Sequence, residues 1–344
     1  MLANVALVFL WVGITAYVLL GGADFGAGFW DLLAGSGASG QAQRRRITTS
    51  LGPVWEANHV WLIFALVVVW TGFPTVFAAI ASTLYIPLTA VAFGVILRGS
   101  SFAFRGAVPG SRTQRVFGSA FGISSLVTPF FLGTIAGAIA SGRVPLGIAA
   151  GDVVGAWLNP TSVLGGVLAV EVCAYLAAVY LTADARRYQE HDLADAFRTR
   201  ALVMGLLTGA TALAGIAVLR SDAPRLFAGL TGRGLPLIVA TAAFGLVSLA
   251  LLVRRSYLAV RVTAALAVVA VLWGWAVGQY PDILIGSATV STSAAPNETL
   301  VVLVVSLSIG AVLLLPALLL LYGLFQSVPR SNDERGPLRH VNGS

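Results

Sequence analysis

The sequence predicts an all-α, polytopic membrane protein with about nine transmembrane helices, and three observations lead to this fold class. Of the 344 residues, 58% are hydrophobic and only 10% are charged, and the mean hydropathy is +0.89. A soluble domain carries about 25% charged residues because its surface faces water. Apolar runs of the roughly 20 residues that a helix needs to cross a bilayer recur along the chain. Arginines concentrate in alternate connections between these runs. Soluble enzymes, secreted disulfide scaffolds and disordered chains are therefore excluded.

The apolar runs define the expected spans in chain order. They cover residues 2–33, 52–72, 74–98, 114–140, 160–183, 200–220, 235–253, 258–279 and 299–326. Only a short turn around Thr71–Pro74 joins the second run to the third, so we expect these two helices to form a tight antiparallel hairpin. The first run has no basic leading region and is too long for the apolar part of a signal peptide, so we expect a permanent helix.

The helix count predicts two four-helix bundles followed by a ninth helix. The first bundle would comprise residues 1–140 and the second residues 141–279. An outer loop and the ninth helix would follow at 280–327, and a cytoplasmic tail at 328–344. No stretch between the spans is long enough for a soluble domain, so a single membrane domain is expected. We find no convincing internal repeat that accompanies the division into bundles.

The distribution of arginine predicts the orientation, because cytoplasmic connections retain positive charge. All 21 basic residues are arginine, and an outside N-terminus puts 17 of them on the inside and four on the outside. The inside set is Arg44, Arg45, Arg46, Arg98, Arg105, Arg112, Arg115, Arg186, Arg187, Arg198, Arg200, Arg254, Arg255, Arg261, Arg330, Arg335 and Arg339, and the outside set is Arg143, Arg220, Arg225 and Arg233. We therefore expect an outside N-terminus and a cytoplasmic C-terminus. The net charge of +7 then reflects orientation in the membrane, not binding to nucleic acid.

Three carboxylates fall at membrane depth, where a charged group costs about 2.5–3.5 kcal/mol on insertion scales. Asp24 lies inside the first predicted span, Glu56 about one turn into the second, and Glu171 near the middle of the fifth. Each acid has two open interpretations. It is either a protonated or paired acid in a helix interface, or a group that carries protons.

The segment around Asp24 is rich in small residues. Gly22 and Gly26 form a small-xxx-small pair that lets a second helix approach closely, and we assign Gly28 to the same packing group. A carboxyl group on such a helix is removed from solvent but can still reach a side chain of the neighbouring helix.

The start of the second span carries Glu56, Asn58 and His59. Residues three apart share one face of a helix, so Glu56 and His59 could hold a proton between them. A carboxylate in a first helical turn also suits the positive end of the helix dipole, which is the structural alternative for Glu56. Trp55 and Trp61 flank this face and are expected to pack against neighbouring helices.

The supply of metal ligands is small. A Glu-x-x-His spacing also occurs in di-iron bundles, but those sites need two such motifs and further glutamates. The chain has three histidines, one cysteine and two methionines, which cannot ligate several haems. We expect no metal site here, and we expect any haem to be bound mainly by a partner.

Six segments occur in a specific order and spacing. They are GGADFGAGFW (21–30), GPVWEANHVWL (52–62), GFP (72–74), YPDIL (280–284), AAPNETL (294–300) and LLPALLLLYGLF (314–325). In these segments and in its nine-helix plan, the chain resembles subunit II of the cytochrome bd quinol oxidases. The resemblance covers most of the chain, although residues 110–275 contribute mainly through hydropathy.

The resemblance implies a bacterial plasma-membrane oxidase that reduces dioxygen to water with electrons from quinol. In that family subunit I carries the b- and d-type haems, and subunit II assembles with it and supplies cytoplasmic protons without pumping. This chain would then have no catalytic residue of its own and would not be an enzyme alone. The resemblance leaves open whether small single-helix subunits, a structural quinone or specific lipids attach.

The resemblance also implies site residues. Asp24 and Glu56 match acids that the family associates with its proton route. Many relatives have Asp where this chain has Glu56, and some carry a further acid where this chain has Gly21.

Our hypothesis is that Glu56 accepts a cytoplasmic proton, Asn58 and His59 position it, and Asp24 passes it toward the partner, with Glu171 as a further candidate. One alternative is a secondary transporter or channel, which predicts paired helix interruptions around a midplane site. The other is a purely structural oxidase subunit in which these acids only pack.

Overall fold

A computed structural model describes residues 1–35, 37–51, 55–107 and 111–327, and nearly all of them are helical. The helices are α1 (Leu2–Ala16), a π-helical turn (Tyr17–Gly21), α2 (Gly22–Leu32), α3 (Ala38–Leu51), α4 (Trp55–Gly72), α5 (Pro74–Thr83), α6 (Tyr85–Ala107), α7 (Ser111–Ala140), α8 (Pro160–Arg187), α9 (His191–Asp222), α10 (Pro224–Thr231), α11 (Leu235–Val253), α12 (Tyr257–Gln279), α13 (Val290–Ser293) and α14 (Asn297–Ser327), with strands β1 (Asp282–Leu284) and β2 (Ala288–Thr289) before α13.

The predicted fold class is confirmed in the described part of the chain, which contains eight helical segments long and apolar enough to cross a membrane. The first of them joins α1, the π-helical turn and α2 into one segment, Leu2–Leu32. The others are α8, α9, α11 and α12 together with most of α6, α7 and α14. A ninth span results if the bent pair formed by α4 and α5 is counted as one.

The predicted tight hairpin between the second and third spans is wrong. Helix α4 ends at Gly72, and α5 then runs at 118° to it as a separate short helix before α6 begins at Tyr85. Pro74 stands in the first turn of α5, where its missing N–H and fixed φ favour a new helix start. Hydropathy could not separate α5 from the next span because the apolar run continues through it.

The placement of Arg98 in an inside connection is also wrong. Arg98 lies within α6 and is only 1% exposed, so it belongs to the protein interior. Apolar residues continue beyond it, and the candidate span runs on to Phe104. We placed the end of this span at Arg98 because an unpaired charge is costly in lipid. That cost does not apply here, since the protein itself surrounds the charge.

Other arginines tie together elements at two opposite ends of the helices. At one end Arg46 on α3 pairs with Glu190 at 2.7 Å, and Arg255 after α11 pairs with Asp195 at 3.2 Å. At the other end Arg143 forms a bidentate ion pair with Asp222 at the end of α9. The first two pairs involve connections predicted to lie inside, and the third involves connections predicted to lie outside. The orientation relative to the membrane and the division into two bundles stay predictions.

Small residues allow close crossings among the helices that position the site. A Cβ atom added to Gly26 would lie 1.8 Å from the carbonyl oxygen of Cys173, so α2 and α8 are in backbone contact there. Helices α7 and α8 are also in backbone contact, because a Cβ atom added to Gly133 would lie 2.2 Å from the carbonyl oxygen of Gly165. The centre of the protein is therefore built around α2, α7 and α8.

The segment 280–298, predicted as an outer loop, contains a small antiparallel β-hairpin. Strand β1 pairs with β2, with Leu284 opposite Ala288 and the turn at Gly286, whose φ is +75°. The backbone N–H of Ala295 donates a hydrogen bond to the carbonyl oxygen of Gly72 at 2.8 Å. This loop is thus attached to the end of α4.

Candidate functional site

The predicted site residues Asp24 and Asn58 meet in the protein interior. Asp24 lies in the first turn of α2, and both side chains are 3% exposed. The side-chain amide of Asn58 on α4 donates a hydrogen bond to Asp24 Oδ2 at 2.6 Å and a longer one, at 3.5 Å, to the carbonyl oxygen of Leu20 in the π-helical turn. A buried carboxyl group therefore has a fixed polar neighbour on an adjacent helix.

Arg98 stands at the centre of this site, although the sequence analysis placed it in a connection between spans. Its Nη2 donates to the backbone carbonyl of Asp24 at 2.9 Å, and its Nε donates to Ser125 Oγ on α7 at 3.1 Å. The guanidinium carbon also lies 4.8 Å from the ring centre of Phe25 and 5.0 Å from that of Phe121. The guanidinium thus joins α2, α6 and α7 through hydrogen bonds and cation–π contacts.

His59 is brought to the same group. Arg98 Nη1 lies 3.2 Å from His59 Nε2. A guanidinium has only donors, so Nε2 must accept this hydrogen bond and the ring proton of a neutral His59 must be on Nδ1. The rings of Phe25 and Tyr17 lie 5.7 and 6.1 Å from the imidazole ring. We call Asp24, Asn58, His59 and Arg98 the Asp24 cluster.

Glu56 is located only through its backbone. It lies in the first turn of α4, three residues before His59, and its side chain falls outside the described residues, as does that of Trp55. The shared helical face predicted for Glu56 and His59 agrees with this helix, because both residues lie on it three positions apart.

Glu171 lies apart from the Asp24 cluster. Its Oε1 accepts a hydrogen bond from Thr211 Oγ1 on α9 at 2.9 Å, and Oε2 is buried without a hydrogen-bond partner in the described part of the chain. Cys173, two residues further along α8, faces α2. Two residues correspond to about 200° of helical rotation, so Glu171 points to the opposite side of α8.

This geometry predicts the effect of Glu171→Gln. The amide oxygen of glutamine can still accept the Thr211 hydrogen bond, and the substitution changes no group of the Asp24 cluster. In the oxidase that the resemblance implies, we expect unchanged activity. We expect a change in the free energy of unfolding of about 1 kcal/mol or less, because the buried amide group would lack a partner among the described residues just as Oε2 does. Activity assays and thermal melts of the purified complex measure both. Slower activity at intact folding would instead support the proton-carrying interpretation of Glu171.

The glycines predicted for packing divide between two neighbours. Gly22 and Gly26 face α8, where an added Cβ would contact Cys173, and an added Cβ at Gly28 would meet Ser125 Oγ on α7 at 2.1 Å. Trp61 packs beside Phe64, with ring centres 5.8 Å apart. The chain thus lets α2 enter between α7 and α8 and carry Asp24 into the interior.

The described residues do not fit the axial ligation of a haem, which a cytochrome would contain. No group of three or more His, Cys, Asp or Glu side chains converges in the described part of the chain. His59 Nε2 is bonded to Arg98, Cys173 lies against the α2 backbone, and Met204 is buried in an apolar cluster. We therefore derive no step through a haem held by these residues.

Comparison with known proteins decides the family. A sequence profile described as "Cytochrome bd terminal oxidase subunit II" matches residues 2–325. The chain belongs to this family. "Cytochrome bd ubiquinol oxidase subunit 2" of Bacillus subtilis (strain 168) is 29% identical over 179 residues, which cover 50% of this chain and 52% of the relative. "Cytochrome bd-I ubiquinol oxidase subunit 2" of Escherichia coli (strain K12) is 28% identical over 185 residues, covering 50% of this chain and 48% of the relative.

A solved structure supports the fold of this bd oxidase subunit II family member. The match is to "The structure of bd oxidase from Geobacillus thermodenitrificans", with a TM-score of 0.74 and 24% sequence identity, and it covers 94% of this chain and 98% of the other. The sequence alignments span only about half the length of the curated relatives. The sequence-based family prediction and the helical membrane fold are thus confirmed.

Proposed function

We propose that this chain is the second subunit of a respiratory quinol oxidase in a bacterial plasma membrane, and that it delivers cytoplasmic protons to a haem-bearing subunit I. The support is family membership together with the buried Asp24 cluster. Quinol would be the electron donor and dioxygen would be reduced to water. The haems would be bound by the partner, since the described residues here do not fit that role.

The Asp24 cluster has the chemistry that a proton relay needs. The Asp24 carboxyl group can take up and release a proton while Asn58 holds it in place through Oδ2. A neutral His59 would carry its exchangeable ring proton on Nδ1, because Nε2 accepts from Arg98. Glu56, one helical turn before His59, would be the cytoplasmic entry group. Arg98 is permanently charged and donates only, so it would position the relay without carrying protons itself.

The energy-conserving role follows from the direction of this route. Protons consumed for water formation would come from the cytoplasmic side through this chain, while quinol would release its protons on the other side. Charge would then be separated across the membrane without a pumping step. The inside location of the Glu56 end is the orientation predicted from the arginine distribution.

Asp24→Asn and Glu56→Gln test the proposal in the purified complex. Each removes a proton-carrying oxygen at nearly constant volume, so we expect quinol-driven oxygen consumption to fall by about 10²-fold. The haem absorption spectrum should be unchanged, which shows that the complex assembles. Asp192→Asn provides the matched control, because that carboxylate is exposed at the start of α9.

Normal oxygen consumption in Asp24→Asn and Glu56→Gln would contradict the proposal and favour a structural subunit whose acids only pack. Loss of the haem spectrum in both variants would also favour the structural role. A haem spectrum retained by this chain after removal of its partner would contradict the assignment of the haems to subunit I.

A further inference from the structure

Tyr17 combines deep burial with an unused hydroxyl group. It opens the π-helical turn Tyr17–Gly21 and is 7% exposed. Its Oη has no hydrogen-bond partner in the described part of the chain. Tyr175 makes a useful contrast, because its buried hydroxyl is hydrogen-bonded to Ser248.

The ring of Tyr17 lies beside the Asp24 cluster. It makes an edge contact with Phe25 at 6.3 Å between ring centres and lies 6.1 Å from the His59 ring. Arg98, Cys173 and Asp24 are the titratable groups close enough to act on the Tyr17 phenol electrostatically. The ring therefore lies against His59 and against Phe25, the residue that follows Asp24, at the edge of the Asp24 cluster.

Gly21 explains how the ring reaches this place. A Cβ atom added to Gly21 would lie 2.8 Å from Tyr17 Cε2 and 3.6 Å from Cζ. The Cδ2–Cε2 edge of the ring thus occupies the space in which a side chain at position 21 would begin. Position 21 is three residues before Asp24 and shares a helix face with it. The π-helical turn, a form of helix often found at functional sites, widens the backbone at this point.

A buried hydroxyl without a partner is unfavourable by about 1–3 kcal/mol. Native proteins normally satisfy such a group with an ordered water, which in turn needs about two to four polar neighbours. Tyr17 Oη can supply one neighbour. Asp24 Oδ1, which takes no part in the hydrogen bond from Asn58, can supply another.

We propose that the Tyr17 hydroxyl holds a buried water beside Asp24, and that Tyr17 is thereby a further positioning residue of the proton relay. In this step the carboxyl O–H bond of Asp24 breaks, its proton bonds to the water oxygen, and the water releases one of its own protons to the next acceptor. The O–H bond of Tyr17 stays intact and no electrons are transferred. This inference rests on the proposed function of the Asp24 cluster.

Tyr17→Phe tests the inference in the assembled oxidase complex. Phenylalanine preserves the ring contacts and removes only the hydroxyl. We expect oxygen consumption to fall about tenfold, because the water is no longer held in line with Asp24. The solvent isotope effect, measured as the ratio of rates in H₂O and D₂O, should rise above the wild-type value. The haem spectrum should stay unchanged.

Tyr175→Phe is the matched control, since it also removes a buried tyrosine hydroxyl but lies outside the Asp24 cluster. We expect it to leave the solvent isotope effect at the wild-type value. A second measurement does not depend on activity. An experimental map of the wild-type complex at a resolution that shows waters should contain a water within hydrogen-bond distance of Tyr17 Oη.

The outcomes separate this inference from the proposed function. Wild-type rate and isotope effect in Tyr17→Phe, together with slow turnover in Asp24→Asn, would overturn the role of Tyr17 alone. Fast turnover in Asp24→Asn would instead overturn the relay itself. If the Tyr17→Phe complex does not assemble, the experimental map of the wild-type complex is the deciding test. Absence of a water within hydrogen-bond distance of Tyr17 Oη in that map would overturn the inference.

Discussion

Arg98→Gln is expected to destabilise the protein by about 3–5 kcal/mol, the cost of breaking a buried charged network by removing one partner. The substitution removes the group that donates to the Asp24 carbonyl, Ser125 and His59, and leaves these buried acceptors without their donor. The melting temperature of the purified complex and the amount of this chain in membranes measure the effect.

Arg98→Lys is expected to recover only a small part of this loss. An ammonium group keeps the charge but cannot reproduce the planar fork that reaches three acceptors and stacks on Phe25 and Phe121. Arg225→Gln is the control, because Arg225 is exposed and its loss should change stability by no more than about 0.5 kcal/mol. A wild-type melting temperature in Arg98→Gln would show that the buried guanidinium does not hold these helices together.

Gly26→Ala is expected to destabilise the protein by about 3 kcal/mol, the upper end of overpacking costs. The added methyl group would lie 1.8 Å from the carbonyl oxygen of Cys173. Neither group can turn away, because the methyl is attached to the backbone of α2 and the carbonyl belongs to the backbone of α8. Helices α2 and α8 would have to move apart, which would also displace Asp24. Thermal unfolding of the purified complex measures this loss.

Gly209→Ala is the matched control for Gly26→Ala. Gly209 also lies inside a helix, but nothing lies within 4 Å of an added Cβ. Because alanine favours helices, this variant should be as stable as the wild type or more stable by up to about 1 kcal/mol. Equal melting temperatures for the Gly26 and Gly209 variants would refute a close crossing of α2 and α8.

The membrane-spanning helices could be predicted from the sequence because a helix that crosses lipid needs about 20 consecutive apolar residues. Hydropathy located the long apolar segments, and the small-residue pattern at Gly22 and Gly26 indicated a close helix approach. The short helix α5 could not be recognised, since Pro74–Thr83 is as apolar as the spans that surround it. Its direction depends on packing, which hydropathy does not report.

The site was only partly predictable for a different reason. Asp24, Asn58 and His59 could be selected because polar groups at membrane depth need partners. Arg98 could not be recognised as a site residue because the partners that make its burial possible lie on three other helices, α2, α4 and α7. No residue spacing within α6 indicates these partners. An arginine followed by Gly-Ser-Ser and then by further apolar residues was the available signal, and it is weak.

The permanent charge of Arg98 has a consequence for ions other than protons. A sodium ion 5 Å from this guanidinium would meet a repulsion of about 3 kcal/mol at an effective dielectric constant of 20. A proton bound by Asp24 meets a repulsion of the same sign, but it is held by a covalent O–H bond, whereas a sodium ion would need space and several oxygen ligands beside the guanidinium. Arg98 therefore disfavours alkali cations beside the carboxyl group that is proposed to bind a proton.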